Sequence, residues 1–200
     1  MSVHIIKNLS RYKMEQFNNI FNHFPQYRII VCKECRSGVI PTHFKTHCDT
    51  KHVYLTAHTR RDIIQAAGQI EGLAESEKDV VYPSLTSDPV PYLPIWLDGL
   101  KCIAVKPDGS LCGYIRRGLE NIQRHCRSEH GWENTRKRGR APKGRQPEVN
   151  KLWVEGVHCQ QFFKTGGFQR LFEVKAARSR QDQEEEGGTC LTERRLEATF

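Results

Sequence analysis

Two short stretches, "HCDTKH" at residues 47–52 and "HCRSEH" at residues 125–130, repeat a His-Cys-x-Ser/Thr-x-His pattern 78 residues apart. Two more cysteines precede each copy. The first set reads Cys32-x2-Cys35-x11-His47-x4-His52, and the second Cys102-x9-Cys112-x12-His125-x4-His130. Zinc takes four Cys or His donors in a tetrahedron, and a strand turn carrying two Cys followed by a helix carrying two His meets that need. The nine residues between Cys102 and Cys112 exceed the usual two to four. The turn "KPDGS" lengthens that hairpin and returns Cys112 to Cys102. Two Zn2+ ions are therefore expected.

Each repeat also holds a third potential donor, Cys48 or Cys126. Cys32, Cys35, Cys48 and His52 form an acceptable alternative set, because Cys48 and His52 share a helix face. In a ββα finger a buried apolar residue lies three positions before the third ligand. Phe44 stands so to His47, and Ile122 to His125; for the cysteines the equivalents are Lys45 and Gln123, poor core residues. His47 and His125 are the expected ligands, leaving Cys48 and Cys126 as small buried hydrophobes. His43 lies too close to Cys35 and is read as a surface histidine.

The elements that must position these donors follow from periodicity and breakers. Phe17, Ile20, Phe21 and Phe24 fall at helical spacing, ended by Pro25, so residues 1–24 read as an N-terminal helix. Residues 25–57 form the first C2H2-like segment, "YRIIVCKECRSGVI" as two strands and "THFKTHCDTKH" as a helix with Thr42 near its cap. Residues 58–80 are a linking helix with a Thr59/Asp62 capping box and Ile63, Ile64, Ala67, Ile70 and Leu73 on one face. Residues 81–98, with Pro83, Pro89, Pro91 and Pro94, are an extended linker or a strap across a neighbour. The second C2H2-like segment, residues 99–132, has a hairpin turning at "KPDG" and a helix stopped at Gly131, with Leu119 and Ile122 on its buried face. A basic linker at 133–150 leads to a β-hairpin at 151–175 turning at "TGG", and the tail at 176–200 has little to bury. The fold class is α+β, a small zinc-stabilised protein with two C2H2-like ββα fingers, a linking helix and a C-terminal hairpin.

Composition agrees with metal staples. The chain has 200 residues, 38% hydrophobic and 9% aromatic, with eight cysteines. One large core is not expected from it, and small cores need disulfides or metal. No apolar run of signal-peptide length opens the chain, and no segment approaches transmembrane length. A reducing setting is expected, the nucleus or alternatively the cytoplasm, where paired Cys and His favour zinc over disulfides.

Net charge is +8, and its location matters more than its size. Residues 101–151 hold 13 Lys/Arg against 5 Asp/Glu, while the remainder holds 18 of each. Arg116, Arg117, Arg124 and Arg127 lie on and before the second helix, and Arg136, Lys137, Arg138, Arg140, Lys143 and Arg145 follow in the linker. Such cations suit phosphate contacts to DNA or RNA, and "RGRAP" resembles an AT-hook core interrupted by Ala141. The first helix has only Lys45 and Lys51, and reads as a structural zinc knuckle. The alternative is a zinc-stabilised module for an unidentified protein partner, its basic tract only a nuclear address.

Catalysis finds no support. There is no His-Glu-x-x-His motif or phosphate loop, and four protein donors per zinc leave no open position. His158 and Cys159 are adjacent in a strand and face opposite ways. The expectation is no enzyme activity, no small-molecule substrate and no membrane partner.

"YRIIVCKECRSGVIPTHFKTHCDTKH", the second segment with its His-Cys-x-x-x-His-Gly-Trp signature, and "GVHCQQFF" together resemble the fungal orsellinic-acid-cluster protein D-like domain over roughly residues 25–175. That resemblance implies zinc at both segments and a fungal source. The insertion between Cys102 and Cys112 departs from the family pattern.

Overall fold

Ile29, Ile30, Val31 and Cys32 are all fully buried, so the strand they form has a core on both faces. The computed structural model, which describes residues 2–84, 87–134, 151–165 and 169–175, places them in the middle of a sheet. The described residues form an α+β fold with four α-helices and two antiparallel sheets.

The first sheet has the order β1 (Phe21–Phe24), β2 (Ile29–Cys32), β3 (Ser37–Val39). Helix α1 (Ser2–Ile20) runs straight into β1, so the helix expected to reach residue 24 ends four residues early. Pairing with β2, Phe21 opposite Cys32 and Phe24 opposite Ile29, overrides the helical spacing. In a strand, positions three apart face opposite ways. Phe21 accordingly joins Phe17, Ile30, Phe44 and Ile63 in one core. Phe24 joins Ile29, Val31, Val90 and Phe162 in another on the far face.

The near face is covered by α1, α2 (Pro41–Lys51) and α3 (Ala57–Ala67). Pro41 occupies the first turn of α2, which has Ile40 at its cap and no side-chain cap bond, so Thr42 does not cap it. The cap of α3 is Thr56, whose hydroxyl accepts from the Thr59 N–H at 3.1 Å, in place of the expected Thr59/Asp62 box. Asp62 is instead buried between α1 and α3, paired with Lys13 at 3.2 Å and His58 at 3.0 Å. Helix α3 stops at Ala67, so Ile70 and Leu73 reach the core from irregular chain.

The second sheet has the order β5 (Ile115–Arg117), β4 (Trp96–Cys102), β6 (Trp153–Gln161), β7 (Leu171–Glu173). Helix α4 (Leu119–His130) follows β5 and buries Ile122 and Cys126. Leu119, expected on that face, is 51% exposed. Gly131 ends the helix at φ 62°, a left-handed conformation that favours glycine. The β6–β7 pair forms the expected hairpin strands, with Gln161 opposite Leu171. Gly166 and Gly167 of its turn, and residues 176–200, lie outside the described residues.

The proline-rich stretch is a strap. Val90 and Leu93 are buried in the far-face core beside Phe162, Phe172 and Val174 of the hairpin end. The Gly38 N–H donates to the Phe162 carbonyl at 2.7 Å, and a Cβ at Gly38 would meet Ile29 Cδ1 at 2.5 Å. A side chain there would have to displace that methyl and crowd Phe162, whose Cβ and carbonyl oxygen would lie 3.3 Å away. The two Cys/His segments are thus joined through one packed body, and each strand pair belongs to a larger sheet.

Candidate metal centres

Two groups of four donors converge, and each draws its cysteines from strands and turns and its histidines from the following helix. In the first, the donor atoms of Cys32, Cys35, His47 and His52 lie within 4.8 Å of one another. Cys32 ends β2, and the tight turn after it, with Arg36 at φ 52°, points the Cys35 N–H at Cys32 Sγ, 3.3 Å away. His47 and His52 come from α2 and its C-cap. His52 Nε2 lies 3.3 Å from Cys32 Sγ, 3.9 Å from Cys35 Sγ and 3.3 Å from His47 Nε2. A tetrahedron with metal–sulfur bonds of about 2.3 Å and metal–nitrogen bonds of about 2.0 Å has edges of about 3.3–3.8 Å. The donors fit a metal ion of that size.

Four neighbours hold this group. The Phe21 ring packs edge-on to His47 and His52, with centroids 5.9 and 5.5 Å away. Lys164, from beyond β6, donates to the Cys35 carbonyl at 2.5 Å and closes the cysteine turn. Glu34 Oε2 lies 3.3 Å from His52 Nδ1, and the Tyr54 hydroxyl 2.6 Å from Glu34 Oε1.

The second group, Cys102, Cys112, His125 and His130, also has its donor atoms within 4.8 Å of one another. The long cysteine spacing resolves into a closed hairpin. The Cys102 N–H donates to Tyr114 O and the Cys112 N–H to Ala104 O, both at 2.8 Å. Val105 bridges Leu111, and the Asp108 carboxylate accepts from the Ser110 N–H at 2.8 Å to hold the tip. Cys112 Sγ sits 3.2 Å from His125 Nε2, a tetrahedral edge. His130 Nε2 is buried with no hydrogen-bond partner, and a bound cation would satisfy it. The His rings stand 5.2 Å apart in both groups.

Burial pushes the Cys32 and Cys102 thiols up to about 12. It also holds His47 down at about 4, with His52 and Lys51 adding to the effect. His125 is lowered by burial first and by His130 second. Neutral donors of this kind shed thiol protons as they take up a cation. Cys48 and Cys126 belong to neither group: both are buried, within the α2 and α4 cores. His43 is exposed, and Cys159 is buried among Ile115, Leu171, Trp96 and Val157 of the second sheet.

The expected phosphate-contacting arginines are dispersed in role. Arg116 and Arg117 lie on β5, before α4. Arg117 forks onto Asp98 at 2.7 and 2.9 Å, its charge already paired. Arg116 donates to the Tyr114 hydroxyl at 2.6 Å and the Gln169 carbonyl at 2.8 Å. Arg124 donates to Asn121, and Arg127 to the Gln123 carbonyl at 3.3 Å. Arg136, Lys137, Arg138, Arg140, Lys143 and Arg145 lie outside the described residues.

Lys106, Arg116, Arg124 and Arg170 line a groove of about 1320 Å³ that runs past His125 and His130, against Glu129 and Glu173. Glu173 is bonded to Lys101 at 2.6 Å, so the wall is net cationic. Tyr114, which no sequence motif marks, stacks on His125 at 3.9 Å. Glu34, Tyr54 and Lys164 were also unsignalled, since their partners lie up to 129 positions away. No described helix is long and apolar enough to cross a membrane.

The family model described as orsellinic acid/F9775 biosynthesis cluster protein D matches residues 19–131, a span containing both donor groups. No curated protein and no solved structure matches the chain.

Proposed function

This chain belongs to the orsellinic acid/F9775 biosynthesis cluster protein D family, and on that premise we propose that it is a non-catalytic, nuclear nucleic-acid-binding protein stabilised by two zinc ions. Both ions are ligated as Cys2His2, in C2H2-like segments. Zinc is favoured over other metals because tetrahedral sulfur and nitrogen donors suit a d10 ion with no geometric preference of its own. Four protein donors close each site, so the metal organises structure and carries no reaction.

The observation that supports nucleic-acid binding is the cationic groove beside the second donor group, lined by Lys106, Arg116, Arg124 and Arg170. The basic tract follows the helix that borders it. Binding of this type rests on phosphate charge, with little base reading. A mobility-shift titration of the zinc-loaded chain on random duplex DNA across a salt series tests it. Affinity falling steeply with salt is expected, and no shift at low salt overturns the reading.

One observation favours a second reading. Ile103, Val105 and Leu111, around the β4–β5 hairpin, are 41%, 65% and 55% exposed. Apolar side chains so displayed suit a protein partner, with the basic tract then serving only as a nuclear address.

A further inference from the structure

We infer that Glu34 and Tyr54 are positioning residues for the metal at the first donor group, fixing the His52 tautomer so that its Nε2 lone pair faces the ion. This rests on the metal reading of that group. His52 is fully buried, and its Nε2 is the atom that meets Cys32, Cys35 and His47. A neutral imidazole ligating through Nε2 must carry its proton on Nδ1. Glu34 Oε2 stands 3.3 Å from that Nδ1, while the hydrogen bond of Nδ1 itself runs to the Tyr54 hydroxyl, also 3.3 Å away. The Tyr54 hydroxyl, 2.6 and 2.7 Å from the two Glu34 oxygens, donates to the carboxylate and holds it in place. The Tyr54 ring stands edge-on to His52 at 5.8 Å.

Packing does not explain these residues. Glu34 is 51% and Tyr54 61% exposed, so neither fills the core and truncating Glu34 leaves no cavity. A carboxylate on the outer nitrogen of a metal-ligating histidine orients the ring and raises its basicity, and losing it costs about 10- to 100-fold in metal affinity. The ion pairs of the described residues include no carboxylate on His125 or His130, so the device belongs to the first group. Glu34 falls inside the Cys-x2-Cys turn, which ties the carboxylate to the same loop that delivers the thiolates.

The test uses the full chain loaded with zinc, titrated with a competing chelator, with His47→Ala assigning the first-group phase. Glu34→Ala is expected to weaken zinc at the first group about 10- to 100-fold and leave the second-group phase unchanged. Glu34→Gln keeps an oxygen acceptor and is expected to recover the larger part of that loss; Tyr54→Phe, which removes the hydroxyl bonded to Nδ1, is expected to weaken the first group as well. The circular dichroism spectrum of the zinc-saturated Glu34→Ala variant should match the parent, and its unfolding midpoint should fall by no more than the lost metal affinity accounts for. Unchanged first-group affinity in Glu34→Ala overturns the inference, as does equal weakening at both groups. A parent chain that binds no zinc at the first group removes the metal reading itself, a distinct result.

Discussion

Gln160 clamps Val90 from both sides: its Oε1 accepts from the Val90 N–H at 2.7 Å, and its Nε2 donates to the Val90 carbonyl at 3.0 Å. A third bond runs from Nε2 to the Leu93 carbonyl at 3.1 Å. Gln160 is fully buried on β6, and Val90 and Leu93 belong to the strap between the two donor groups. The side-chain amide stands in for a neighbouring strand and pairs backbone that prolines keep out of a sheet.

Gln160→Leu roughly keeps the volume and removes all three bonds, taking the partner from the Val90 N–H and the Leu93 carbonyl, while the Val90 carbonyl still accepts from the Leu93 N–H at 3.4 Å. A loss of about 3 kcal/mol is expected, since each unsatisfied buried group costs about 1–3 kcal/mol. A denaturant-unfolding midpoint on the zinc-loaded chain checks it. No change in the midpoint would mean that water pairs the strap instead.

Metal removal should act on the whole body. Structural zinc contributes on the order of 10 kcal/mol in finger peptides. Both sheets share the core containing Ile29, Val31, Phe162 and Phe172. Elemental analysis should give two zinc ions per chain, and chelation should unfold both segments by circular dichroism. A single ion would point to a donor group that stays empty.

Cys48 and His47 are neighbours in sequence with opposite roles. Cys48→Ala should keep metal at the first group and cost about 1 kcal/mol of packing. His47→Ala should lose the metal or bind it far more weakly. Zinc stoichiometry of the two variants decides, and a reversed result would make the ligands Cys32, Cys35, Cys48 and His52.

Cations should differ in their weight on DNA binding. Replacing Arg136, Lys137, Arg138, Arg140, Lys143 and Arg145 by Gln should flatten the salt dependence, because a chain that neutralises fewer phosphates displaces fewer counterions. Arg117→Gln should change the slope little, since Asp98 already pairs that guanidinium at 2.7 Å. Equal effects from Arg117 and the tract would show that the Asp98 pair opens on binding.

The sequence by itself determined which donors meet and what kind of element carries them. Ligand chemistry is a property of residue type, and spacing along a turn or helix is local. Phe44 and Ile122 at one turn before His47 and His125 marked the helix face, and both are buried. "KPDG" and Gly131 placed the hairpin and the helix end for the same local reason. Tertiary structure alone decided that Phe21 and Phe24 lie on a strand, because backbone pairing with β2 is non-local and a three-residue spacing of aromatics suits a helix equally. It alone turned the proline stretch into a strap, bonded to Gln160 some 70 positions away. It also withdrew Arg117 onto Asp98 and brought Glu34 and Tyr54, 20 positions apart, to the outer nitrogen of His52. Side-chain partners of that separation are chosen by packing, and no short-range pattern announces them.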